Sequence, residues 1–404
     1  MSGEPRSATI RAVTPIDLRG PGRAPALLAV LAVLLLPAGA RAQYLAFGDS
    51  ITEGRGDDPT RQELGYPPRL EERLRQAGLA NAEVENAGVG GENTAEGITR
   101  LRQLLRDTLA ETLLLMEGTN DLANDISPES TRFNLERMAD DAENSGLGVV
   151  HATVIPRIPS ARLDPDNHLT QRMVQGIRQT AGLEDRDLAD PYEVFSTTPQ
   201  VFTRYYVSSP TDPVGHPNAA GYDLLAGIFF DVIRDVDRVP PVLGTSDPRH
   251  NAQGISSTPL IELDVWDFGS DVDVANTTLL LGGQPVAAQV APNGFPGGVR
   301  ITFQPLGPLG GLVRLGLRSR DTASPPNTVD RDVARFLVAG ADFLEGDLDR
   351  DGRVDGHDLV DLARRFGARS SDARYRAAAD FDANGVIDGG DLAALARNFG
   401  RSIG

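Results

Sequence analysis

The 404-residue sequence predicts a multidomain chain: an α/β layered domain with a parallel sheet, an all-β sandwich, and a small α domain built on a duplicated loop. Over residues 44–238 short apolar runs alternate with helix-like segments, the order expected of a parallel sheet covered by helices. Over 240–340 short strand-like runs follow one another, separated by Gly, Pro, Asn and Asp turns, as in a sandwich. From Gly346 onward an acidic loop pattern occurs twice, each copy followed by a helix-like stretch.

Ahead of these parts, Arg19 and Arg23 precede the apolar run 24–36, and Ala40-Arg41-Ala42 follows. That is the layout of a secretory signal peptide over 1–42, with the mature chain beginning near Gln43. The apolar run is short for a membrane span, so an uncleaved anchor is the lesser reading and an extracellular location is expected. In the layered domain the candidate strands are 44–47, 82–85, 112–116 and 148–155. The candidate helices are 68–77, 94–106, 130–143 and 219–236, with Pro67 and Pro68 suited to a first turn. Pro240-Pro241 breaks the pattern. Strands are then expected at 260–266, 277–281, 299–303, 312–317 and 333–338, an outline that resembles a bacterial immunoglobulin-like module. The expected division is 1–42, 43–239, 240–340 and 341–404.

Composition removes several function classes. Asp and Glu number 57 against 39 Lys and Arg, a net charge of -18, which repels nucleic-acid phosphates and anionic lipid heads and attracts divalent cations. Without a cysteine there is no disulfide framework, no thiolate nucleophile and no Cys-ligated metal. Every basic residue is Arg, so Schiff-base lysines and lysine phosphate loops are also excluded.

The duplicated loop places oxygen donors at positions 1, 3, 5, 7, 9 and 12 and Gly at 6, which is what a hard cation such as Ca²⁺ requires. The side chains are Asp347, Asp349, Asp351 and Asp358 in one copy and Asp380, Asp382, Asn384 and Asp391 in the other. Arg353 and Val386 would give main-chain carbonyls, with Asp355 and Asp388 acting directly or through water. The Asp at position 12, the single helix after each loop and the duplication resemble a dockerin domain. The resemblance implies structural Ca²⁺ and a cohesin-like partner. Positions 10 and 11, Gly356-His357 and Gly389-Gly390, depart from the pairs associated with cohesin contacts, so a purely structural calcium-stabilised tail is the alternative.

Gly48-Asp49-Ser50-Ile51 directly follows the first strand and puts a serine hydroxyl on a strand-to-helix turn at the carboxyl edge of the sheet. Three further blocks follow in order: Asn86 to Gly91, then Gly118-Thr119-Asn120-Asp121 after the third strand, then His216-Pro217-Asn218 before the last helix. A nucleophilic serine needs a base and donors aimed at the developing oxyanion, and successive strand ends can supply them.

These four blocks resemble the SGNH, or GDSL, hydrolase family over 43–236, which implies a flavodoxin-like α/β/α domain. The resemblance makes Ser50 the nucleophile and an oxyanion donor, Gly91 (in preference to Gly90) and Asn120 the other donors, and His216 the base. The family has Asp three residues before the histidine, but Pro213 stands there; the nearest carboxylate is Asp212, which a one-residue bulge would bring to the imidazole. Otherwise the pair would act as a dyad. His151, His168, His250 and His357 are expected to be structural or solvated. Phe202, Tyr205 and Tyr206 either line an acyl or sugar site or pack as core.

Together these readings predict a secreted serine esterase that works through an acyl-enzyme without a catalytic cofactor. The dockerin-like tail directs the choice of ester toward acetyl groups on polysaccharide. The alternative is a catalytically inactive extracellular binding or scaffold protein that uses the sandwich and the calcium repeats.

Overall fold

The computed structural model describes residues 43–158, 164, 167–207, 215–338, 346–349, 352–369, 372, 374–376, 379–381 and 386–402. The expected signal segment 1–42 lies outside the described residues, as do Asp212, Asp351, Asp382 and Asn384.

The first part runs β1 (Gln43–Gly48), α1 (Ser50–Glu53), α2 (Tyr66–Gln76), β2 (Glu83–Gly88), α3 (Thr94–Leu104), β3 (Thr112–Met116), α4 (Pro128–Asn144) and β4 (Gly148–Ala152). It continues through α5 (His168–Leu183), β5 (Asp187–Ala189), α6 (Pro191–Thr197), α7 (Val201–Arg204) and α8 (Ala219–Ile233). All strand pairs are parallel, in the order β2-β1-β3-β4-β5. That is the flavodoxin-like order, whose switch point between β1 and β3 opens a crevice at the strands' carboxyl ends.

Alternate residues of the central strands face opposite cores, because a sheet covered on both faces must be apolar on both. Leu45, Phe47, Leu113 and Leu115 pack with Ile98, Leu135, Met138, Met173 and Ile177. Ala46, Leu114 and Met116 pack with Tyr66, Leu70, Tyr222 and Phe229 on the other side. Helix starts follow local chemistry: Asn93 and Glu96 form a capping box on α3, and Ser127 caps α4 with Pro128 in its first turn.

The foreseen elements lie within a few residues of those observed, but α5, β5, α6 and α7 were not foreseen. The α5 helix buries Gln175, Arg178 and Thr180, which breaks the apolar period. Arg178 is accommodated because its Nε donates to Asp190 at 2.7 Å and its Nη2 to Glu193 at 3.1 Å. β4 ends at Ala152, three residues earlier than expected, because its neighbour β5 has only three residues.

The second part is a sandwich of β6 (Val242–Asp247), β7 (Ala252–Ile255), β8 (Ile261–Trp266), β9 (Thr278–Leu281), β10 (Gln284–Pro285), β11 (Gln289–Pro292), β12 (Gly298–Phe303), β13 (Leu312–Arg320) and β14 (Thr328–Val338). Its sheets have the orders β10-β9-β13-β14-β7 and β11-β12-β8-β6. Leu263, Val265, Ile301, Leu315, Leu317 and Phe336 fill the space between them. The strands β6, β7, β10 and β11 were not foreseen; all four lie at sheet edges, and the last three have four residues or fewer, where the alternation signal is weakest. The sandwich seats on α5: a Cβ at Gly182 would meet Trp266 Nε1 at 2.3 Å, so only glycine admits the indole there. Arg331 Nη2 reaches Glu193 at 2.6 Å, and Arg178 Nη1 donates to the Leu243 carbonyl at 3.3 Å.

In the tail α9 (Gly356–Arg365) and α10 (Gly389–Asn398) enclose Leu348, Val354, Leu362, Ile387 and Leu395. Both helices begin inside the acidic loops, because Asp355 and Asp388 act as N-caps in capping boxes with Asp358 and Asp391. Among the described residues no helix is long and apolar enough to cross a membrane.

Candidate active site

Ser50 is the first residue of α1, immediately beyond β1. The turn that presents it requires glycine at 48: a Cβ there would lie 2.0 Å from the Met116 carbonyl oxygen and 2.3 Å from Thr52 Oγ1. Asp49 caps α1 by accepting from the Ile51 N–H at 2.8 Å, and its other oxygen accepts from the Thr119 N–H at 3.3 Å. One buried carboxylate thus ties the serine turn to the loop after β3.

His216 enters from the loop before α8. Its Nε2 lies 2.8 Å from Ser50 Oγ. The loop is held on both sides of the ring: the Val207 N–H donates to the His216 carbonyl at 2.9 Å, and Asn218 caps α8 while its Nδ2 donates to the carbonyls of Arg204 and Tyr206. Ser50 and His216 are only 3% and 6% exposed, so the pair works largely out of water.

Asn120 stands at the start of the 3-10 turn Asp121–Asn124, but its side chain does not cap that turn. Instead Nδ2 donates to the Glu92 carbonyl at 2.8 Å. Gly91 adopts φ +86, and a Cβ there would meet nothing within 4 Å, so the position is set by its backbone conformation. At Gly90 a Cβ would come within 2.6 Å of Glu53 Oε2. The loop carrying both glycines is clamped by Arg100, whose Nε donates to Glu92 at 2.8 Å and whose Nη1 and Nη2 reach the carbonyls of Ala87 at 2.8 Å and Gly48 at 3.2 Å. The guanidinium also lies 3.9 Å over the Phe47 ring. Ser50, His216, Gly91 and Asn120 are therefore brought to one end of the sheet, while Asp212 lies outside the described residues.

Beneath the serine turn lie acidic groups that the sequence motifs did not single out. Burial raises the Asp49 carboxyl, offset by its bonds from Ile51 and Thr119 and by His216. Burial pushes Glu117 well above the usual carboxylate range, and the neighbouring Asp49, Glu92 and Asp121 push it further. Arg157, also buried, donates to the Thr119 carbonyl, which braces the same loop. The clamps Arg100 and Arg157 carried no motif signal, since an isolated Arg does not show which strand end it will reach.

The remaining histidines are away from this chemistry. His151 is buried in β4 with neither ring nitrogen hydrogen-bonded, and burial, reinforced by Arg186, lowers it to about 3. His357 is exposed and bonds Asp355. Of the aromatic trio, Tyr206 is core: it is 3% exposed, lies edge-on to Phe195 and donates to the Pro156 carbonyl at 2.6 Å. Phe202 and Tyr205 pack against the same cluster.

In the first repeat loop Asp347, Asp349 and Asp358 bring one carboxylate oxygen each within 4.8 Å of one another. The donors are all oxygen and Asp358 is fully buried, which fits a hard divalent cation. Asp358 Oδ1 also accepts the N–H groups of Leu348 and Asp349, and Asp391 Oδ1 accepts that of Phe381 in the second copy. Asp355 and Asp388 spend an oxygen on their helix caps.

Residues 46–224 match the GDSL-like lipase/acylhydrolase family, and residues 345–400 match the dockerin type I domain. The chain carries both domains. The esterase TesA of Pseudomonas aeruginosa is 33% identical over 129 residues, 32% of this chain and 62% of that protein. An arylesterase of Vibrio mimicus is 30% identical over 135 residues, 33% of this chain and 64% of that protein. The chain thus spans less than two thirds of the length of these curated relatives. Among solved structures, the lipase/acylhydrolase from Enterococcus faecalis has 22% identity and a TM-score of 0.42, covering 48% of this chain and 96% of that one.

Proposed function

We propose that the hydrolase domain is a serine esterase. The observation that carries this reading is the 2.8 Å approach of Ser50 Oγ to His216 Nε2 in a buried pair. Ser50 Oγ attacks the ester carbonyl carbon as its proton passes to His216 Nε2. The oxyanion accepts from the main-chain N–H groups of Ser50 and Gly91 and from the Nδ2 hydrogen of Asn120 not spent on Glu92. Collapse breaks the acyl–oxygen bond and the alcohol leaves with the proton from His216. Water, deprotonated by His216, then releases the acid and restores Ser50. Asp212 is assigned to orient the imidazole.

The dockerin domain is read as holding Ca²⁺ through Asp347, Asp349, Asp351, Asp358 and the Arg353 carbonyl in one loop. Asp380, Asp382, Asn384, Asp391 and the Val386 carbonyl serve in the other, with Asp355 and Asp388 contributing directly or through water. The ion would neutralise carboxylates that otherwise repel one another. A dockerin on an exported enzyme fits an extracellular scaffold with a cohesin-like partner, and acetylated polysaccharide as substrate. The division into 43–239, 240–340 and 341–404 after a signal at 1–42 belongs to the same reading.

The test is hydrolysis of nitrophenyl esters of increasing acyl length and of acetylated xylan by the mature chain and its Ser50→Ala variant. Acetyl esters should be preferred, and Ser50→Ala should lower kcat by about 10⁴-fold or more. Unchanged hydrolysis in Ser50→Ala would overturn the assignment, and no hydrolysis by either would favour the scaffold reading.

A further inference from the structure

A second acidic cluster lies where the hydrolase domain meets the sandwich, and neither family's motifs include it. Asp237 is in the link between α8 and β6, Asp267 follows Trp266 at the end of β8, and Asp321 follows β13. Each offers a carboxylate oxygen, and the three oxygens lie within 4.8 Å of one another. Asp267 is 2% and Asp321 1% exposed.

An independent observation points to a ligand. Asp267 Oδ1 is satisfied by the N–H groups of Gly269 at 3.1 Å and Ser270 at 2.6 Å, but its Oδ2 is buried without a hydrogen-bond partner. Among the described residues neither Asp267 nor Asp321 is paired with an arginine; Asp321 is instead held by the N–H groups of Ala323 and Asn327 and by Asn327 Nδ2 at 2.7 Å, which also donates to Asp237 Oδ1 at 3.2 Å. The backbone makes room for the convergence: a Cβ at Gly269 would lie 2.4 Å from Asp237 Cγ. A buried carboxylate oxygen without a donor, on a residue clustered with two other carboxylates, is costly unless a proton or a cation joins it.

From this arrangement we infer that Asp237, Asp267 and Asp321 form a Ca²⁺ site that fastens the link after α8 to the sandwich. The donors are all oxygen, which selects a hard cation over zinc, copper or iron. Calcium accepts an irregular oxygen cage at about 2.3–2.6 Å, whereas magnesium demands a near-octahedral one at about 2.0–2.1 Å. The ion would restrict motion of the sandwich, and of the tail beyond it, relative to the hydrolase domain.

The chain's only tryptophan, Trp266, adjoins Asp267, which makes the site addressable apart from the dockerin loops. Terbium(III) substitutes for calcium and emits when a nearby indole is excited. Excitation at the red edge of the tryptophan band, in the full mature chain, should give terbium emission that calcium displaces and an equal concentration of magnesium does not. Asp267→Asn should lose that emission while retaining its circular dichroism. No sensitised emission from the wild type, or equal emission from folded Asp267→Asn, would overturn the site; equal displacement by magnesium would overturn the choice of calcium.

If Asp267→Asn fails to fold, native mass spectrometry of a chain carrying Asp358→Ala and Asp391→Ala decides. One retained calcium supports the site, and none, with a proton satisfying Asp267, contradicts it. This count holds whether or not the dockerin loops bind metal.

Discussion

The side-chain amide of Asn120 donates to the main-chain carbonyl of Glu92 at 2.8 Å, joining the loop after β3 to the loop after β2. One side chain therefore positions the Gly91 loop and keeps a second N–H for the oxyanion. Asn120→Ala should lower kcat by about 10²–10³-fold with a smaller change in KM. Asn120→Asp, similar in shape but lacking the N–H donors, should fall as far. Steady-state kinetics on an acetyl ester checks both, and a loss confined to KM would contradict the role.

Glycines 48 and 91 should respond differently to the same substitution. A Cβ at 48 would sit 2.0 Å from the Met116 oxygen, so Gly48→Ala should destabilise the fold strongly. At Gly91 space is open and the obstacle is φ +86, about 1–2 kcal/mol for an L-residue. Gly91→Ala should therefore fold and lose turnover. Thermal melts beside kcat separate the two cases.

His151 links stability to pH. Its ring is lowered to about 3 by burial, so between about 3 and its ordinary value of 6.5 the native state binds fewer protons than the unfolded state. The stability this contributes is present above 6.5 and is lost as pH falls toward 3, at up to about 1.4 kcal/mol per pH unit. His151→Leu should flatten that acid limb in denaturant titrations, and an unchanged limb would place the acid sensitivity elsewhere.

Calcium removal should act on the tail and spare the chemistry. With a chelator present, hydrogen exchange of the amides in α9 and α10 should accelerate sharply while esterase turnover stays within about twofold. Activity falling in parallel with tail protection would contradict that separation.

Asp212→Ala tests the orienting carboxylate. A loss of at least about tenfold in kcat is expected if Asp212 holds the imidazole, and turnover within about twofold would leave Ser50 and His216 as a dyad.

What the sequence disclosed follows from how local each feature is. The strand 112–116 was legible to the residue because Thr-Leu-Leu-Leu-Met is a continuous apolar run bounded by polar turns, as a doubly covered central strand must be. The helix α5 was not, because buried Arg178 is made tolerable by Asp190 and Glu193, a compensation visible only in three dimensions. Ser50, Gly91, Asn120 and His216 could be selected because each lies in a short motif at a strand or helix end. Arg100, which clamps the Gly91 loop, could not, since its partners Gly48, Ala87 and Glu92 come from β1, β2 and the loop after β2. The helices after the repeat loops begin earlier than the apolar spacing indicated, because Asp355 and Asp388 act as caps as well as candidate ligands.

The central claim is an activated serine at position 50. Treating the mature protein with a fluorophosphonate probe and locating the adduct by peptide mass spectrometry tests it most directly. The account predicts a single adduct on Ser50 that is lost in His216→Ala. An unlabelled protein, or an adduct on another residue, would contradict it.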